Sequence, residues 1–239
     1  MRSNLVPAGS KGVPLNLVGT VYQPDGTTPH SDVLIEAWQC DENEHYDNTS
    51  DDYLFRGITK TDDNGKYNFQ TIVPVPYEAS PNSWRPAHIH LRISSASYQD
   101  LITQIYFKGD PHLDSDSSSS SPTAANRILK ISEKNGVKTV AFDVVMSKNI
   151  PLDDTVYDKI SGLYEMDKGM AEFYREDDLL MMKRNGQISE GLIYKGNNTF
   201  EGAMGWRKVK FDLLGNGEIK AELSQGTRTL EGKKILKYG

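Results

Sequence analysis

Two of the five histidines in this 239-residue chain share one His-x-His, within Arg85-Pro86-Ala87-His88-Ile89-His90. The run continues as Leu91-Arg92-Ile93, with apolar and polar residues alternating. On a β-strand, residues two apart point to the same face, so His88 and His90 can offer both imidazoles to one object. A metal ion is the object that most often takes two neighbouring imidazoles. A solvated strand face carrying two polar residues is the plain alternative, and the tripeptide alone does not choose between them. Cys40 is the sole cysteine, so a disulfide framework and a thiolate cluster are both excluded. Any metal must be held by nitrogen and oxygen donors.

The elements that would position these residues read as short strands between turns. Leu15 to Tyr22 alternates and stops at Pro24-Asp25-Gly26, and Val33 to Trp38 is a second strand. Gly57 to Thr61 leads into Asp62-Asp63-Asn64-Gly65, a hairpin signal, and Tyr67-Asn68-Phe69 follows. Ala87 to Ile93, Leu101 to Phe107 and Thr139 to Val145 complete the set, with a short helix near Thr123 to Ser132. Many short strands at regular spacing predict an all-β fold with a β-sandwich. The serine-rich Asp114 to Ser121 reads as a mobile surface loop, a tolerated insertion.

A second region begins near Asp153 to Tyr157 and also reads as strands, at Gly162-Leu163-Tyr164, Ala171 to Tyr174, Leu179 to Lys183, Leu192-Ile193-Tyr194, Val209-Lys210-Phe211 and Ile219 to Leu223. It holds no histidine and no cysteine. The expected division is therefore a first domain over 1–152 and a small β-barrel or sheet over 153–239. The pattern ending Gly226-Thr227-Arg228-Thr229-Leu230-Glu231-Gly232 resembles lipocalin-like β-domains appended to some bacterial hydrolases.

Composition sets the outer bounds. Hydrophobic residues make up 37% and charged residues 25%, ordinary for a soluble globular chain. A net charge of -6 argues against a general binder of nucleic acid or anionic membranes. No apolar run is long enough to span a bilayer. The opening Met1 to Pro7 lacks a sustained apolar stretch, so no signal peptide is visible. The compartment stays open: cytoplasmic as written, or periplasmic or secreted had a leader been removed.

Several blocks in one order point further. They are Trp38-Gln39-Cys40-Asp41-Glu42-Asn43-Glu44-His45-Tyr46, Thr71-Ile72-Val73-Pro74-Val75-Pro76-Tyr77, Trp84-Arg85-Pro86-Ala87-His88-Ile89-His90 and Leu101-Ile102-Thr103-Gln104-Ile105-Tyr106-Phe107-Lys108-Gly109-Asp110-Pro111. Together they resemble the intradiol ring-cleavage dioxygenases, nearest to the protocatechuate 3,4-dioxygenase branch, over roughly Val13 to Met146. The resemblance implies a β-sandwich with non-haem Fe(III) held by Tyr46, Tyr77, His88 and His90. It makes Tyr77 and His90 axial, and Tyr46 and His88 equatorial beside a hydroxide. The spacing from Trp38 favours Tyr46 over nearby Tyr53.

The implied substrates are a catechol and O2, with cleavage between the two hydroxyl-bearing carbons to a muconate-type diacid. Tyr77 would act as a general base. Arg85 would stabilise negative charge developing on the ring, and Gln104 would help to position substrate or arginine. Phenolates are hard anionic donors that favour the ferric state, unlike the two-histidine-one-carboxylate set typical of ferrous O2 activation.

Departures leave the ring substituent open. Glu78-Ala79-Ser80 follows Tyr77 where protocatechuate-type members have a tryptophan. Glu78 would oppose a carboxylated substrate if it faced the pocket, and Asp51, Asp52, Tyr53 and Arg56 are further candidates for the mouth. The helical N-terminal dimerisation region of catechol 1,2-dioxygenases is not seen. Homo-oligomerisation is open, since protocatechuate-type members build their site region with partner chains. His45 and His112 read as surface or supporting residues rather than ligands. Two other readings compete with the ordinary enzyme. One is a non-catalytic β-sandwich binding protein on the same scaffold; the other is an intact iron site acting on a bulky or polymer-derived catechol.

Overall fold

Alternation of apolar and polar residues shapes most of this molecule, seen here as a computed structural model that describes residues 1–176, 179–202 and 205–237. The chain divides into two compact units, Met1–Asn149 and Ile150–Gly239. The first contains β1 (Pro14–Tyr22), β2 (Leu34–Trp38), β3 (Arg56–Lys60), β4 (Lys66–Ile72), β5 (Tyr77–Ser80), β6 (Ser83–Arg85), β7 (His88–Ser94), β8 (Leu101–Phe107), β9 (Ile128–Leu129), β10 (Ser132–Lys134), β11 (Val137–Ala141) and β12 (Val144–Val145).

These strands form two five-stranded sheets and a hairpin. One sheet runs β3-β2-β7-β8-β9. In the other, β1 pairs with β4 in antiparallel fashion and with β11 and β12 in parallel. Ile35, Ala37, Ile89, Leu91, Ile93 and Ile105 of the first sheet join Leu15, Leu17, Val21, Phe69 and Val140 of the second in one buried cluster. This is the sandwich core that the alternation predicts. Because side chains alternate, the opposite face of β2, β7 and β8 is free to carry chemistry.

Two local expectations change. Asp62-Asp63-Asn64-Gly65 does make a tight turn, with Gly65 at φ 70° and the Asp62 carboxylate accepting from the Asn64 and Lys66 amides. Yet β3 pairs with β2 while β4 pairs with β1, so the turn crosses between sheets rather than closing a hairpin. The helix expected near Thr123 to Ser132 is a single 3-10 segment, Pro122–Arg127, capped by the Ser121 hydroxyl and followed at once by β9.

The second unit opens with helix α1 (Asp154–Ile160), ahead of the first strand expected there, where no helix was read. Asp153 caps it, its side chain accepting the Thr155 amide, while Tyr157 and Ile160, three apart, bury together. Then come β13 (Gly162–Met166), β14 (Met170–Glu176), β15 (Leu179–Arg184), β16 (Gln187–Gly196), β17 (Thr199–Gly202), β18 (Arg207–Leu213), β19 (Ile219–Gln225) and β20 (Arg228–Lys237). Each pairs with the next, and β13 pairs with β20, closing an eight-stranded barrel. Tyr164, Phe173, Phe200 and Phe211 pack in its interior, their rings meeting edge to face.

Candidate active site

Register places the chemistry on the outer face of the β2-β7-β8 sheet. His90 lies opposite Trp38 on one side and Gln104 on the other, and His88 lies opposite Tyr106. Paired residues of antiparallel strands share a face, so these five side chains are neighbours while Ile89 points into the core. The β5–β6 hairpin adds Tyr77 opposite Arg85.

Tyr46 comes from the long loop between β2 and β3, which has no ladder to hold it. Two carboxylates do so instead. Asp41 accepts the backbone amides of Asn43 and His45 at 2.8 Å each. Asp47 accepts those of Ser50 at 2.9 Å and Leu54 at 2.8 Å, and these bonds with the Ser50 hydroxyl lower its pKa to about 2. Tyr46 is fixed between two such turns. Below it, buried Gln39 bonds the Thr71 hydroxyl and the Ile72 carbonyl, tying the loop's root to β4.

The four candidate ligands converge. His88 Nε2 is 3.2 Å from the Tyr46 hydroxyl and 3.2 Å from His90 Nε2. The Tyr77 ring centre lies 5.7 Å from those of Tyr46 and His88. His88 Nδ1 is 2.7 Å from the Pro86 carbonyl, which can only accept, so Nδ1 carries the hydrogen and Nε2 presents its lone pair. The Trp38 indole stacks on the His90 ring at 4.9 Å and 4°, setting its plane.

Electrostatics agree with this geometry. Burial first, then the Arg85 charge among other influences, depresses the His88 pKa to about 4. Burial, His88 and Arg85 take His90 to about 3. Both imidazoles are therefore neutral at ordinary pH, as a metal ligand requires. Burial, with Tyr77 and Cys40 nearby, holds the Tyr46 phenol well above its usual range. Two neutral imidazole nitrogens and two phenol oxygens thus meet in a half-buried space with little to satisfy their lone pairs except one another. A hard trivalent cation would fit: it turns both phenols into phenolates and offsets their charge. Among the described residues, no group of three or more His, Cys, Asp or Glu side chains is placed to hold a metal, so a centre here depends on tyrosine.

Arg85 and Gln104 are joined beside this cluster. Arg85 Nη2 donates to Gln104 Oε1 at 2.8 Å, and the buried Tyr106 hydroxyl donates to the same oxygen at 2.8 Å. Arg127 donates to the Gln104 carbonyl at 2.8 Å and covers the Tyr106 ring.

The serine-rich loop is a correction. Asp116 and Ser119 within it are buried, and the Asp116 carboxylate is 2.7 Å from Arg85 Nε. Composition suggested a slack insertion, because serine runs have no apolar residues to anchor them. Here hydrogen bonds anchor the run instead. Asp116, Tyr106 and Trp38 are the supporting residues that sequence reasoning missed. An acid at the head of a serine run, set against an arginine in need of a counter-charge, was the available signal for the first.

Other candidates lie elsewhere. Glu78 pairs with Trp84 across the hairpin, on the face away from Tyr77 and Arg85, and its carboxylate accepts the Asn82 amide at 2.7 Å. It therefore does not oppose a substrate carboxylate. Tyr53 is 56% exposed. His45 is exposed beside Asp41, and His112 stacks on Trp84.

Comparison with known proteins supplies the context. A family model described as dioxygenase matches residues 4–148. A chlorocatechol 1,2-dioxygenase of Rhodococcus opacus is 40% identical over 130 residues, covering 47% of this chain and 50% of that protein. A 6-chlorohydroxyquinol 1,2-dioxygenase of Cupriavidus pinatubonensis is 34% identical over 127 residues, 46% of each chain. Among solved structures, the dioxygenase domain of a dioxygenase carbohydrate-binding protein fusion from Streptomyces sp. SirexAA-E superposes with a TM-score of 0.52 at 30% identity. That match covers 62% of this chain and 88% of that one. The chain spans about half the length of the curated relatives it matches. These three do not include the protocatechuate branch, toward which the motifs leaned. With the model covering more than half its length, the chain belongs to the intradiol ring-cleavage dioxygenase family.

Proposed function

We propose that this chain is an intradiol dioxygenase. It would open a catechol ring between the two hydroxyl-bearing carbons, with both atoms of O2 entering a muconate-type diacid. The observation that carries this reading is the convergence of Tyr46, His88 and His90 within 3.2 Å steps, with Tyr77 beside them. These four side chains would hold ferric iron. When bound, the iron would supply a Lewis acid that keeps both catechol oxygens deprotonated, and a catecholate carries electron density on its ring carbons.

The chain's own residues do the rest. The Pro86 carbonyl, holding His88 Nδ1–H, keeps Nε2 aimed at the centre. Trp38 keeps the His90 ring from turning. Tyr77, as a phenolate, would take a proton at Oη from a catechol hydroxyl, and it sits on a short two-stranded hairpin opposite Arg85. Arg85 faces the ring carbons that gain charge, with Gln104 fixing its plane. The catalytic domain would be residues 1–152, with 153–239 an appended β-domain. The relatives' names suggest a catechol, chlorinated or hydroxylated, as substrate.

The test is direct. Protein purified aerobically should carry stoichiometric iron and a visible tyrosinate charge-transfer band that shifts when catechols are added without O2. Tyr46→Phe and His88→Ala should each lose iron and turnover. A colourless, iron-free wild type, or variants that keep all three properties, would defeat the proposal.

A further inference from the structure

We propose that Asp116 is a positioning residue, acting on the ring-cleavage reaction through Arg85. This rests on the reading of Arg85 as the residue facing the substrate. The carboxylate is 7% exposed and lies 2.7 Å from Arg85 Nε. That contact lacks hydrogen-bond alignment, so charge rather than a directed bond maintains it. With both partners largely out of water, the attraction is weakly screened.

Asp116 is fixed before it meets the arginine. It accepts the backbone amides of Ser118 at 3.1 Å and Ser119 at 2.9 Å. The Ser119 hydroxyl donates to the Leu113 carbonyl at 2.7 Å, and the Ser120 hydroxyl to the Asp116 carbonyl at 2.8 Å. The serines therefore build a rigid seat for one carboxylate, which a run of larger side chains could not do in so small a loop.

On the other edge, Gln104 takes Nη2 of Arg85, and Gln104 is itself held by Tyr106 and Arg127. A guanidinium is a planar fork, so holding it at Nε and at Nη2 fixes its plane. Among the described residues, Nε meets Asp116 and Nη2 meets Gln104, which leaves Nη1 for a substrate. Arg85 itself lies opposite the candidate ligand Tyr77 in the hairpin, and its charge bears on Tyr46, His88 and His90. The loop thus helps to set the orientation of the guanidinium. Without Asp116 the cation would be free to swing toward other acceptors. A displacement of about 1 Å in such a group can cost about a hundredfold in rate.

A double-mutant cycle on the iron-loaded full chain tests this, with catechol as the assayed substrate. Asp116→Asn should lower kcat about tenfold to a hundredfold. KM should change little, and iron content and the visible band should be unchanged. Asp116→Glu should recover part of the loss. In an Arg85→Met background, Asp116→Asn should have almost no further effect. Equal losses in both backgrounds, or loss of iron, would show a merely structural role and overturn the proposal. A crystal structure of Asp116→Asn gives a second readout that needs no turnover: the Arg85 side chain should leave its Gln104 contact, and an unmoved guanidinium would also overturn it. An inert, iron-free wild type would instead defeat the dioxygenase reading, leaving this structural readout to judge Asp116.

Discussion

A histidine that gives its Nδ1 hydrogen to a carbonyl has one nitrogen left to offer, and that arrangement makes His88 a committed donor. The cost appears when no cation is present. His88 and His90 titrate near 4 and 3 in the folded chain, against about 6.5 when unfolded. Between these values the unfolded chain binds protons that the folded chain refuses. Stability linked to the neutral imidazoles is therefore full above about pH 6.5 and is lost as pH falls toward 4. Iron-free protein should show a lower urea midpoint at pH 5 than at pH 7. A His88→Gln, His90→Gln double variant should lose most of that difference, and an unchanged difference would assign the pH dependence to other groups.

At the scale of elements, β7 serves two masters. Ile89 lies in the core at 0% exposure, while its neighbours on either side face the site. Ile89→Ala should destabilise the sandwich by about 2–5 kcal/mol in chemical denaturation. Because the strand would then sit loosely, iron should also be released faster to a chelator; retention at the wild-type rate would show that the His-x-His spacing does not depend on core packing. The strand pattern made β7, β8 and the spacing of His88 and His90 legible in the sequence, since alternation is a local rule. The family motifs supplied Tyr46, Tyr77, Arg85 and Gln104. The seat of Asp116 was not legible, because backbone amides and hydroxyls closing on one carboxylate leave no periodic trace. Helix α1 was missed for a related reason. It has seven residues and two buried side chains, too short for a helical period to rise above the strands around it. The turn at Gly65 was read correctly, but a turn's residues do not say which sheet the chain enters next.

For the whole molecule, all six residues assigned to the site fall within Met1–Asn149, the unit with its own core. A fragment ending at Asn149 should therefore purify folded and coloured, with most of its catechol turnover. A folded but colourless fragment would give the barrel a part in the centre. No helix among the described residues is long and apolar enough to cross a membrane. The barrel's closure has a separate consequence. Where β13 meets β20, the last backbone donors and acceptors of the ring are spent on each other. Among the described residues no barrel strand is left to recruit a neighbour by adding to the sheet, which guards this unit against strand exchange and fibril growth. Whatever it meets, it must meet through side chains.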